Sequence, residues 1–330
     1  MMERKTFSRT GLGLFISVIA ANIVTAIALL IFIVVILFGQ RSGGSRDLYD
    51  LLNNLVEAIS SGWFSVVLLF LADLVMVFVV WLFVRRLPKP VPQPSTMRAG
   101  QKWAMVFVIF CISMAITHLL AEVGWFVNHV LQNLLPVPYY DTASTAAAAT
   151  DYMGLLPTFV MVCVIAPVME EILFRKLVLG PLRAFGDTVA ILTSGIAFGM
   201  FHQNFEQMFF AAAVGILLGY AYVRTNSLWV PIMIHFMLNF IGGVVPSLLD
   251  MWIPYYSYSV FCGIIVAFWI IGGCLFFSLR KRIILDPAPY RFSVPVNTGL
   301  VLGNAGVILF LVLCLGMSVL TAMLPSLAYL

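Results

Sequence analysis

Six polar residues in apolar surroundings carry whatever chemistry this chain performs: Glu170, Glu171, Arg175, His202, His235 and Asn239. They fall in three short pieces, Glu170-Glu171-Ile172-Leu173-Phe174-Arg175, Phe198-Gly199-Met200-Phe201-His202 and His235-Phe236-Met237-Leu238-Asn239. Each piece lies in an apolar run that could enter a bilayer. An ionisable side chain at the centre of a membrane helix costs roughly 2.5–3.5 kcal/mol on insertion scales. A chain that keeps two carboxylates, a guanidinium and two imidazoles there is expected to use them. The chemistry on offer is proton transfer, with a carboxylate or an imidazole as the base.

Helical geometry divides the labour. Adjacent residues point about 100° apart, so Glu170 and Glu171 face different ways. Arg175 stands at i+4 from Glu171, the spacing at which side chains on one helix meet. The expected arrangement is a Glu171–Arg175 ion pair, with Glu170 free to face a cavity as the candidate base. Pro167 removes a backbone donor just upstream and is expected to kink the helix. Phe198 and His202 share one helical face, as do His235 and Asn239, and Pro231 suits the first turn of the helix carrying His235. At about 1.5 Å per residue, Glu170 lies about 15 Å before the Gly180-Pro181 break and His202 about 22 Å beyond Asp187. On the same scale His235 and Asn239 lie about 12 and 18 Å beyond Ser227. With ordinary tilts, three spans deliver polar groups to one layer.

The motifs E-E-x-x-x-R, F-x-x-x-H and H-x-x-x-N, in this order within residues 155–245, resemble those of the CPBP family. That family comprises CAAX prenyl endopeptidases and bacteriocin-processing or bacteriocin-immunity proteins. The resemblance implies that Glu170, assisted by His202, activates a water, and that His235 and Asn239 donate hydrogen bonds to the oxyanion. No cofactor is expected, with zinc as the alternative. Two imidazoles and a carboxylate are also a zinc ligand set, here Glu170, His202 and His235. The i, i+4 histidine pair of an H-E-x-x-H helix is missing, however, and a metal-free mechanism is favoured. Water must reach the base, so a polar cavity open to the cytoplasmic side is expected.

The elements that position these groups are membrane helices. Of 330 residues, 62% are hydrophobic and 10% charged, against about 25% charged in a soluble domain. The expected fold is all-α: one polytopic transmembrane bundle over residues 1–330, with residues 155–245 as its core. Spans are expected near 11–38, 61–84, 103–127, 155–179, 188–204, 208–223, 228–246, 258–279 and 297–324, about nine in all. The fifth and sixth read short for a bilayer that asks for about 20 residues. The first run is too long for the h-region of a signal peptide, about 7–15 residues, and lacks a small-residue cleavage site. With the N-terminus in the cytoplasm, alternation puts 16 of the 18 basic residues on the cytoplasmic side, as the positive-inside rule requires. Gly195/Gly199 and Gly215/Gly219 are small-xxx-small pairs that let helices approach closely. Leu87 to Ser95 reads as a proline-stiffened connector, and Thr142 to Thr150 as a surface helix or loop.

The function expected from this pattern is an intramembrane endopeptidase acting on a membrane-anchored or membrane-associated peptide or protein. The alternative is a non-catalytic membrane scaffold or bacteriocin-immunity protein. A transporter would show an inverted repeat, and none is visible. No basic face with interleaved aromatics points to nucleic acid, so the partners are the substrate and the lipid bilayer. Localisation is expected to be multi-pass in the cell membrane, the inner membrane of a bacterium. Five dispersed cysteines propose neither disulfides nor a metal site. Among the remaining polar residues, His118 and Glu122 read as a local pair, and Asp73 as an inward-facing acid without an identified partner. Phe198 and Phe236 read as packing.

Overall fold

The computed structural model describes residues 2–39, 62–87, 97–134, 152–283, 285, 301 and 303–327. Residues 88–95 and 142–150, expected from sequence to be a connector and a surface helix or loop, lie outside them. The described residues form nine helices: α1 (Met2–Gly39), α2 (Gly62–Val84), α3 (Ala99–Asn133), α4 (Gly154–Phe185), α5 (Asp187–Phe201), α6 (Phe205–Thr225), α7 (Trp229–Trp252), α8 (Ser257–Arg282) and α9 (Ala305–Leu327). Eight of them are long and apolar enough to cross a membrane, and α5, with 15 residues, falls short. The protein is a polytopic helical bundle.

The short fifth span has a partner that explains it. α5 and α6 form a hairpin whose turn is only His202, Gln203 and Asn204, with Gln203 in the left-handed region at φ 54°. Asn204 starts α6 by accepting a hydrogen bond from the Gln207 backbone N–H at 2.8 Å, a side-chain cap for an otherwise unpaired donor. The two helices press together at glycines: a Cβ on Gly195 would sit 2.7 Å from the Ile216 nitrogen, and one on Gly199 would strike the Met208 carbonyl. The sixth span, expected to be short, runs for 21 residues because the turn begins it earlier.

Around this hairpin α1 packs on α2 and α9, while α3 packs on α6 and α8. The helix ends rich in arginine and lysine gather on one face. There Phe7 of α1 meets Phe185 at the end of α4, with ring centroids 5.1 Å apart, and Asn304 before α9 donates to the Arg4 carbonyl at 3.0 Å.

The helix that positions the acids, α4, is irregular. Residues Phe159–Ile165 and Ile172–Leu179 are π-helical, with Ala166–Glu171 as one α-helical stretch between them. Proline explains part of this. Pro157 and Pro167 lack the N–H that an α-helical ladder needs, and the Ala166 N–H reaches back five residues to Met161. α7 has the same device, with π-helical Phe240–Val244 directly after Asn239 and ahead of Pro246. Such π segments are frequent at functional sites. Here they lie on both sides of the two acids in α4 and directly follow Asn239 in α7.

Candidate functional site

Arg175 is fully buried, and its guanidinium organises the centre. Nε donates to Glu171 Oε2 at 2.6 Å and Nη2 to Oε1 at 3.2 Å, both across one helical turn. Nη1 donates to Ser194 Oγ of α5 at 3.2 Å, and the Ser194 hydroxyl donates onward to the Phe174 carbonyl at 2.9 Å. The guanidinium also lies over the Phe198 ring, 5.3 Å from its centroid. Ser194 is completely buried. Nothing in the sequence sets it apart from the small residues around it.

Glu171 does more than hold Arg175. Its Oε1 lies 3.2 Å from His235 Nδ1, and an ionised carboxylate can only accept, so this nitrogen carries the proton. The other imidazole nitrogen, Nε2, lies 3.9 Å from Glu170 Oε2. Thus one acid fixes the ring and the other faces it.

Glu170 is the acid left over. Its Oε2 is buried and accepts no hydrogen bond among the described residues, while its side chain keeps 16% of its surface exposed against none for Glu171. Asp73 of α2, an acid for which the sequence suggests no partner, has a buried Oδ2 in the same condition. α2 packs against Ala166–Glu171, so a third carboxylate borders the centre. Its position is invisible in sequence because nothing local links α2 to α4.

His202 closes α5. Its Nδ1 donates to the Phe198 carbonyl at 2.9 Å, which leaves the Nε2 lone pair of a neutral ring available as an acceptor. The Phe198 ring stands edge-on between both imidazoles, with centroids 5.0 Å from His202 and 5.6 Å from His235. Phe198 is more than filler: it spaces the two histidines and receives the guanidinium. Asn239 donates from Nδ2 to the Val162 carbonyl at 2.7 Å, which ties α7 to the first π segment of α4. Phe236, by contrast, packs among aromatics, against Phe159 and Phe240.

Arg175, Glu171, His235 and Glu170 therefore follow one another in a chain of neighbours, and His202 joins them through Phe198. Among the described residues no group of three histidine, cysteine or acidic side chains is arranged to hold a metal ion. The zinc set Glu170, His202 and His235 does not fit this geometry. His118 lies elsewhere, bonded through Nδ1 to the Met114 carbonyl of its own helix at 3.1 Å rather than to Glu122. Two cavities, of about 360 and 580 Å³, flank α5, and neither is lined by a residue of the polar centre. The polar cavity expected at Glu170 is not one of them.

A family model described as type II CAAX prenyl endopeptidase Rce1-like matches residues 152–241, the stretch from the start of α4 to just past Asn239. YdiL of Bacillus subtilis (strain 168), named as a candidate membrane peptidase, is 30% identical over 210 residues, covering 61% of this chain and 76% of YdiL. The membrane-embedded CAAX protease MroQ of Staphylococcus aureus (strain USA300) is 33% identical over 92 residues, covering 26% of this chain and 37% of MroQ. Protein YxdF of Lactococcus lactis is 24% identical over 121 residues, covering 36% of this chain and 67% of YxdF. No solved structure matches the chain.

Proposed function

Because the chain belongs to the Rce1-like family of CAAX prenyl endopeptidases, we propose that it is an intramembrane endopeptidase with Glu170 as its general base. The observation that carries this reading is the inequality of the two adjacent acids. Glu171 is tied to Arg175 and His235, whereas Glu170 has an unpartnered oxygen beside an imidazole. A base must keep a lone pair available, and only one of the two does.

In this mechanism Glu170 takes a proton from water as the water oxygen attacks the scissile carbonyl. The neutral His202 ring, its Nδ1 held by Phe198, offers Nε2 to the second water hydrogen. As the tetrahedral intermediate forms, His235 and Asn239 donate to the oxyanion. Fixed donors of this kind are worth about 3–4 kcal/mol each in related oxyanion holes. For His235 this requires protons on both nitrogens, Nδ1–H staying on Glu171 while Nε2–H turns to the substrate. Asn239 keeps one N–H on Val162 and has the second for the oxyanion. Collapse of the intermediate breaks the C–N bond, and the proton held by Glu170 goes to the leaving amine. No step needs a metal. The substrate is a membrane-anchored or membrane-associated peptide or protein, cleaved within the bilayer of the cell membrane.

The test is purified protein in liposomes with a lipid-anchored peptide, product identified by mass spectrometry. Cleavage is expected, and a zinc chelator in excess should leave its rate unchanged. A rate abolished by the chelator and restored by zinc would replace this mechanism with a metallopeptidase one. Absence of cleavage for a panel of anchored peptides, with the cellular phenotype intact in Glu170→Ala, would favour the scaffold reading instead.

Asp73 gives a separate expectation. A buried polar atom left without a hydrogen bond costs about 1–3 kcal/mol, and Asp73 Oδ2 is such an atom, so Asp73→Leu should raise the melting temperature. It should also slow cleavage, because it removes the acid that α2 brings against the helical stretch ending in Glu170 and Glu171. A stabilised variant with wild-type turnover would show that Asp73 has no part in the reaction.

A further inference from the structure

We propose that the cleft between α3, α6 and α8 binds one anionic phospholipid, with its acyl chains inside and its phosphate against Arg224, Arg280 and Arg282. The cleft is the cavity of about 580 Å³. It exists because α8 leans on α3 along one side only. There Gly272 lets the backbones meet at Cys111, and Phe268 stands edge-on to Phe110 with centroids 5.2 Å apart. On the other side a gap is left towards α5 and α6, walled by apolar side chains such as Ile112, Leu217 and Phe276. An apolar gap at bilayer depth does not fill with water, which finds no partners there. Hydrocarbon chains fill it.

The rim decides which lipid. Arg224 ends α6, and Arg280 and Arg282 end α8, so three guanidinium groups border one opening on the basic face. Among the described residues, Arg175 and Arg183 are the arginines held in carboxylate ion pairs, and the acid next to the rim, Asp187, is the one held by Arg183 at 2.9 Å. Arg280 lies over the Phe277 ring at 5.3 Å, a contact that leaves its charge uncompensated. Guanidinium groups bind phosphate oxygens in a fork geometry, and basic pockets between membrane helices on the cytoplasmic side take anionic headgroups. The second cavity, between α1, α5 and α9, is the internal contrast, because no charged residue lines it. It can accept chains but has nothing with which to select a headgroup.

The experiment uses the full chain in neutral detergent, with phosphatidylglycerol, phosphatidylcholine or soluble glycerol phosphate added. Native mass spectrometry of the wild type should retain one phosphatidylglycerol at concentrations where phosphatidylcholine is lost. Phosphatidylglycerol should raise Tm by about 3–8 °C, and the other two should not. The triple variant Arg224→Gln/Arg280→Gln/Arg282→Gln should lose that shift, and so should Leu217→Trp, which fills the cleft and keeps the arginines. Arg85→Gln/Arg86→Gln, on the basic face but outside the cleft, should keep it. Equal retention of phosphatidylcholine, an equal effect of glycerol phosphate, or loss of the shift in the Arg85/Arg86 variant would each overturn the proposal. Should the triple variant fail to fold, the wild-type retention ratio and the Leu217→Trp result decide the question.

Discussion

Glu170→Gln should fold and melt like the parent protein, or slightly better, and should cleave an anchored peptide about 10²–10⁴-fold more slowly. That factor is what a positioned general base contributes. The amide has the volume of the carboxyl, so packing is kept, but its nitrogen faces where a lone pair was and it takes no proton from water. Stability should hold because Glu170 Oε2 makes no hydrogen bond that the substitution could break. The neighbouring substitution, Glu171→Gln, should behave in the opposite way. It weakens the bonds to Arg175 at 2.6 and 3.2 Å and the contact with His235 at 3.2 Å, so the melting temperature should fall before the chemistry is addressed. Circular dichroism melts and cleavage rates on the two variants separate the roles. Wild-type turnover in Glu170→Gln would end the case for Glu170 as base, and the His235 imidazole oriented by Glu171 would become the candidate.

The features legible in the sequence are those that local geometry dictates. The i, i+4 spacing of Glu171 and Arg175 is enough to expect their pair, because both lie on one helix and no tertiary contact is needed to bring them together. The nine helices correspond to apolar runs broken by basic or proline-rich stretches. The glycine pairs on α5 and α6 show where backbones meet. The contacts that assemble the polar centre and are not legible in the sequence join different helices. Glu171 to His235 depends on how α4 is rotated at Glu171, and the π segment Phe159–Ile165 ahead of it changes the angular phase of the residues that follow. Asp73 beside Glu170 depends on α2 packing against Ala166–Glu171, far away along the chain. Phe198 reads as packing because an aromatic in a membrane helix has no local sign of what surrounds it. Only in the fold does it stand between two imidazoles and under a guanidinium. Asn239 on the Val162 carbonyl likewise presupposes the π turn in whose midst Val162 lies.

Arg175→Leu is the second large effect, and it falls on stability. Removing one partner of a buried ion pair costs about 3–5 kcal/mol, because the remaining charge is left uncompensated. Here the penalty has several parts. Glu171 loses both guanidinium bonds, the Ser194 hydroxyl loses its donor while keeping the Phe174 carbonyl, and the Phe198 face loses its cation. No water stands by to replace them, since Arg175, Glu171 and Ser194 are each fully buried. The expected result is a large drop in the melting temperature of detergent-purified protein, with reduced yield from membranes. The double variant Glu171→Gln/Arg175→Met should recover much of that loss. It removes the orphaned charge, and the Gln carbonyl can still accept from His235 Nδ1. If the double variant is no more stable than Arg175→Leu, the pair contributes through the shape of the guanidinium, lying over Phe198 and joining α4 to α5, and not through its charge.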